Sequence, residues 1–155
     1  MDTHHRRIRD HPCHLDMGAI LGATPIQERV GFPLRDELEP VRQRVGGVSF
    51  KHILSVVKPL SLAKFVLFKS FDDYTTNLPL EACDDRDVLL TYKWNGKPLT
   101  KEHGGPVRMI VPKRYAWKGA KWVKEITFSD KDEKGFWEVR GYSNSAFPWE
   151  NDRYG

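Results

Sequence analysis

The sequence predicts a mixed α+β domain built mainly from short strands, and three observations point there. Apolar or alternating runs of strand length recur at 63–68, 88–94, 107–111 and 121–128. Turn signals separate them, above all Asn95-Gly96, the dipeptide that suits a two-residue hairpin. A single stretch at 50–57 instead repeats its apolar residues at helical spacing. With 155 residues the chain is long enough for one domain with a real core and short for two.

Each element has a local reason. Ser49 stands at a helix-cap position, Phe50, Ile53, Leu54 and Val57 fall on one face, and Pro59 ends the run. AKFVLF at 63–68 reads as a buried strand, and Asp72-Asp73 turns the chain into a second short strand at 74–77. Residues 80–85 make a helical turn. VLLTYKW at 88–94 is a strand, the stretch at 107–111 is a buried strand closed by Pro112, and KWVKEITF at 121–128 alternates as a half-exposed one. FWEVRGY at 136–142 gives a further strand. Residues 1–46 carry no such agreement, because Pro33, Pro40 and Gly46-Gly47 interrupt them and no apolar period runs through. They are expected to be poorly ordered.

Composition divides the chain at the same place. All thirteen Lys, five Trp and five Tyr lie after Phe50, while residues 1–47 hold seven Arg against seven acids. The net charge of +4 therefore belongs wholly to the later part. Its lysines are interleaved with acids and apolar residues rather than gathered in a stripe, which argues against a nucleic-acid partner. No run of about 18 apolar residues exists to span a bilayer, and the two cysteines, Cys13 and Cys83, make no disulfide framework. A cytoplasmic protein with no membrane partner is the expectation. Cys13 with His11 and His14 lacks a fourth ligand, so no metal site is assigned.

Two segments carry candidate chemistry. In KPLTKEHGGPVRMIVP, at 97–112, adjacent glycines let backbone approach a ligand, His103 offers a hydrogen-bond partner, and Arg108 can grip an anion. The plain alternative is a Gly-Gly turn into a buried strand, with Arg108 reaching out to solvent. In YAWKGAKWV, at 115–123, Lys118, Gly119 and Lys121 combine charge with accessible backbone N–H groups, as a phosphate cradle requires. A solvated turn with Trp117 and Trp122 packed in the core is equally compatible.

Together these segments resemble the molybdopterin-binding signature of the sulfite oxidase family: a His-Gly-x-Pro-x-Arg run, a following Val-Pro and a Lys-Trp strand. AKFVLFKSFDDYTTNLPLEAC and GFWEVRGYSNSAFPWENDRYG resemble its small bacterial members, so the resemblance covers about residues 47–155. It implies a sulfite oxidase-type molybdopterin-binding fold, N-terminally incomplete here, and a Mo-molybdopterin cofactor that moves an oxygen atom and two electrons to or from a small oxo-acceptor or oxo-donor. The electron-transfer partner is not named by any motif. His103 and Arg108 would contact the pterin and its phosphate, Gly119, Ala120 and Lys121 would hold the phosphate end, Ser70 would be a further contact, and Tyr74 would line the substrate side as the catalytic candidate.

One element of the pattern is missing. The small bacterial members carry a Phe-His-Cys-Val-Thr-x-Trp-Ser stretch before a Gly-Val-Ser-Phe run, and its cysteine ligates molybdenum. Here Gly47-Val48-Ser49-Phe50 is present, but no cysteine stands shortly before it, and Cys83 reads as a small helix residue. Codons chosen for residues 33–46, read one base later, spell His-Cys-Val-Thr-Ser-Trp-Ser and place the lost ligand over Leu34. Residues 1–46 are then expected to be out-of-frame, and the enzyme impaired. A non-enzymatic domain that keeps an anion or cofactor pocket is the alternative.

Overall fold

The computed structural model describes residues 26–32 and 41–155. Within them eight strands form two sheets, with two short α-helices and several 3₁₀ turns. The fold is α+β. Strands β1 (Ile26–Phe32), β2 (Val41–Ser49) and β5 (Leu89–Trp94) run side by side, and β5 also pairs with β6 (Lys97–Pro98) and β7 (Arg108–Ile110). The second sheet has the order β4 (Thr75–Pro79), β3 (Phe65–Ser70), β8 (Val123–Ser129). All pairings are antiparallel.

Local chemistry explains most of these elements. Helix α1 (Phe50–Val57) buries Phe50 and Ile53 and packs Leu54 and Val57 beside them, the face that the spacing predicts. Ser49 occupies its N-cap position without a side-chain capping bond; the 3₁₀ and α turns elsewhere also close without one. Asn95 and Gly96 take φ of 49° and 79°, the left-handed pair of a tight hairpin, between β5 and β6. Helix α2 (Leu80–Cys83) is the single turn expected there.

The main core fills the space between the sheets. Val66, Phe68, Leu78 and Ile126 from one side meet Val48, Leu90, Tyr92 and Met109 from the other, and Phe50 stacks edge-on to Phe68 at 5.8 Å. Gly47 is required by this packing: a Cβ there would lie 2.5 Å from the Leu90 carbonyl oxygen, on the neighbouring strand. On the opposite face of the larger sheet, Val45, Leu89 and Ile110 form a second cluster with Trp94.

Two expectations differ from the structure. Residues 26–32 and 41–46, read as without structure, lie in the β1–β2 hairpin, where cross-strand pairing does not need the apolar period that the sequence lacks. The stretch 136–142 is not a strand but holds a 3₁₀ turn, Glu138–Arg140, closed by Gly141 at φ 96°. Its alternation is broken because Glu138 turns inward to a buried ion pair while Val139 is exposed. Cys13, His11, His14 and Leu34 lie outside the described residues. Among the described residues no helix is long and apolar enough to cross a membrane.

Candidate functional site

The two signature segments are joined by backbone hydrogen bonds. Trp122 N–H donates to the Gly104 carbonyl at 3.1 Å, Val123 N–H to Val107 at 2.9 Å, and Met109 N–H to Ala120 at 2.8 Å. Side chains add to the seam: Trp122 Nε1 donates to the Lys101 carbonyl at 2.7 Å, and Lys121 Nζ reaches the Glu102 carbonyl at 3.4 Å. Strand β3 extends the row, since Phe71 N–H donates to Trp122 at 2.9 Å. His103, Arg108 and Lys121 are thereby gathered at one end of the larger sheet.

Glycine makes this approach possible. A Cβ on Gly104 would lie 2.9 Å from Lys121 Cγ and 3.1 Å from Arg108 Cβ, and one on Gly105 would overlap the Leu99 carbonyl oxygen. At Gly119 a Cβ would sit 3.0 Å from the Met109 carbonyl oxygen. The Ala120 methyl points into the main core, so this residue can offer a ligand only its backbone. Among the described residues neither the Ala120 nor the Lys121 amide donates to a backbone carbonyl.

Arg108 is half-buried. Its Nη1 donates to the His103 carbonyl at 3.1 Å, and its Nε is buried with no acceptor. Burial pushes the guanidinium pKa down from its ordinary value, an unfavourable condition that an anion placed against it would relieve. An orphaned donor, a glycine-lined approach and two undonated amides together fit an anionic, acceptor-rich group such as a pterin phosphate.

Ser70 lies behind this cluster, paired with Val123, whereas Tyr74 stands apart from it. Ser70 shares the inward face of β3 with Val66 and Phe68, and its hydroxyl is buried without a partner. The Tyr74 hydroxyl donates to the Trp117 carbonyl, and its ring lies 6.0 Å from Phe136. Burial, with the Glu138 carboxylate nearby, raises its pKa. Trp117 is sandwiched between Tyr115 and Tyr142, at ring distances of 4.8 and 5.0 Å.

Sequence reasoning missed what lies behind the 116–121 turn. Lys118 is wholly buried and its ammonium pairs with Glu138 at 2.8 Å, also wholly buried. The same nitrogen donates to the Asn77 carbonyl and Oδ1 at 3.0 Å each and to Asn144 Oδ1 at 3.2 Å. Thr76 donates to Glu138 at 2.8 Å, and Asp132 accepts from both asparagines. Desolvation lowers the Lys118 pKa, and the Glu138 carboxylate opposes that shift. The one signal for this network was an acid inside an aromatic run, FWEVRGY.

Cys83 is fully buried in α2, and desolvation raises its thiol pKa above the ordinary 9.0. It is a core residue and offers no thiolate to a ligand. Because the unfolded chain ionises this thiol while the folded chain holds it protonated, its contribution to stability is present below about pH 9 and lost as pH rises. Cys83→Ala should therefore lose stability with pH less steeply than the parent between about pH 8.5 and 10.5, by up to about 1.4 kcal/mol per pH unit. Denaturant melts across that range check the slope.

Comparison with known proteins shows the family. Residues 41–137 match the family described as the oxidoreductase molybdopterin binding domain. The match begins at residue 41, within β2, rather than at 47. YuiH of Bacillus subtilis (strain 168), named an uncharacterized oxidoreductase, is 44% identical over 92 residues, covering 59% of this chain and 46% of that protein. Mitochondrial sulfite oxidase of Drosophila melanogaster is 36% identical over 87 residues, 51% of this chain and 15% of that protein. Among solved structures, the sulfane dehydrogenase SoxCD of Paracoccus pantotrophus superposes with a TM-score of 0.54 at 28% identity, over 57% of this chain and 23% of that one. The chain thus spans about half the length of YuiH and under a quarter of the other two. With its His103–Arg108 and Gly119–Lys121 segments joined at one sheet end, the chain belongs to the oxidoreductase molybdopterin binding domain family, of the sulfite oxidase type.

Proposed function

We propose that this chain is the cofactor-holding domain of a molybdopterin-dependent oxidoreductase acting on a small oxo-acceptor or oxo-donor in the cytoplasm, impaired because its sequence has no cysteine at the ligand position shortly before Gly47. The observation that carries the reading is the buried, unpartnered Arg108 Nε beside the glycine-lined junction of the two segments. When bound, the cofactor supplies oxygen-atom transfer coupled to two electrons.

The chain's own residues hold and orient. Arg108 and Lys121 neutralise the anionic end, the Ala120 and Lys121 amides donate to it, and Gly104 and Gly119 let it approach the backbone. His103, exposed beside Arg108, hydrogen-bonds a pterin edge. Tyr74 fixes the Trp117 carbonyl and with it the turn that leads to Gly119. Ser70 supports the same end from the core side.

Cys83 favours the second reading, a domain that binds pterin or another anion without catalysis, because the one described thiol is buried and protonated. Purification from a host that makes the cofactor tests both, and residual turnover separates the impaired enzyme from the non-catalytic domain. The expected result is pterin on the protein with less than about one molybdenum per ten chains, since loss of a metal-supporting group costs about 10- to 100-fold in affinity. Stoichiometric molybdenum with turnover overturns the impairment, and absence of both pterin and metal overturns the cofactor reading.

A further inference from the structure

The outer face of the larger sheet carries more unsatisfied donors than the signature names. Leu89 and Ile110 are cross-strand partners, as are Thr91 and Arg108. Alternation puts these four side chains on one face, while Leu90 and Met109 go to the main core. A register shift at Gly46/Gly47 opposite β5 brings Trp94 to the same face, where it packs with Val45, Leu89 and Ile110. The His103 ring stands edge-on to Trp94 at 4.8 Å, and the His103 carbonyl accepts from Arg108.

Among the described residues, three polar atoms here are buried without a hydrogen-bond partner: Thr91 Oγ1, Trp94 Nε1 and Arg108 Nε. A fully buried hydroxyl, an indole N–H and one guanidinium N–H left bare are each costly, and three together on one sheet face call for a shared acceptor. Two of the three can only donate, and the hydroxyl can donate as well. That donor set selects an anionic or carbonyl-bearing ligand and discriminates against a cation.

We propose that Thr91 and Trp94 are two further binding residues of the pterin site, donating with Arg108 to one acceptor-rich part of the ligand. The proposal rests on the molybdopterin reading above. The acceptor is either a phosphate oxygen or the carbonyl of the pterin ring, which share this chemistry. Thr91 also differs from a core residue in a measurable way. Because its hydroxyl is bare in the ligand-free chain, an isosteric valine stabilises that chain while weakening the ligand.

The test compares the full chain with Thr91→Val, Thr91→Ser and Trp94→Phe, all made in a cofactor-producing host. Pterin per chain is read by fluorescence after denaturation and oxidation, and the ligand-free protein is melted. Thr91→Val and Trp94→Phe should retain about tenfold less pterin, the loss of one charge-assisted hydrogen bond. Thr91→Ser, which keeps the hydroxyl, should stay near the parent, and Thr91→Val should melt about 3 °C higher without ligand. Tryptophan quenching identifies the acceptor: a response to inorganic phosphate that Trp94→Phe abolishes assigns the phosphate end, and the same result with 6-hydroxymethylpterin assigns the ring. Equal pterin content in parent, Thr91→Val and Trp94→Phe overturns the proposal and leaves the cofactor reading standing. A lower ligand-free midpoint for Thr91→Val overturns it too, by showing that the hydroxyl is partnered within the protein. A parent that retains no pterin and is quenched by neither probe overturns both.

Discussion

Replacing Lys118 with methionine should cost about 3–5 kcal/mol, most of the stability of a domain at the low end of the ordinary range, although methionine nearly matches the shape. The lost ammonium leaves the Glu138 carboxylate buried opposite an apolar side chain, with only Thr76 donating to it. It also strips a donor from the Asn77 carbonyl and from both asparagine side chains. Because the cost arises from the stranded charge rather than from lost packing, neutralising Glu138 as well should restore part of it. The double variant Lys118→Met/Glu138→Gln should be more stable than Lys118→Met alone, an inversion of the usual sum of two losses. Chemical denaturation of the three proteins measures it. A double variant weaker than the single would show that packing, not charge, dominates.

Gly105→Ala should have the second largest effect, about 3 kcal/mol, together with loss of retained pterin. Its Cβ would overlap the Leu99 carbonyl oxygen and crowd the Thr100 oxygen at 2.9 Å, both of them backbone atoms that cannot swing aside. Relief requires the 99–105 loop to separate from itself, which moves His103 and breaks the Gly104–Trp122 link. Gly96→Ala is the matched comparison. Its φ of 79° is unfavourable for alanine, but nothing lies within 4 Å, so the cost should be about 1 kcal/mol with pterin retention unchanged. Melting and pterin fluorescence on the two variants separate a steric cradle from simple glycine flexibility.

How far the sequence reveals this molecule depends on how local each cause is. The Asn95-Gly96 hairpin, helix α1 and the buried strands were legible because their causes lie within a few residues. The 103–108 segment stands out in the sequence because a Gly-Gly pair and an arginine at fixed spacing form a recognisable pattern, and Gly104, Val107 and Met109 bond to Trp122, Val123 and Ala120 of the second segment. The strand expected at 136–142 failed for the opposite reason. Alternation there mimics a strand, and only the ammonium of Lys118, twenty residues upstream, explains why Glu138 turns inward. Lysine ordinarily reads as exposed, so its burial was invisible until Asn77, Glu138 and Asn144 converged on it. Thr91 and Trp94 were hidden inside VLLTYKW, where an unbroken strand reads as core; a lone hydroxyl in an apolar run was the one trace. The β1–β2 hairpin had no such trace, since pairing supplies its order.

The ammonium of Lys118 also ties the chain beyond residue 137 to the sheets. Recognisable family pattern ends at residue 137, yet Glu138 and Asn144, which neutralise and solvate that charge, come just after it. A chain cut at the pattern's edge would retain every strand and still hold an uncompensated cation in its interior. Charge compensation thus binds the nearly strandless segment through Asn144 to the sheets, alongside the hydrogen-bonded pairing that binds the strands to each other.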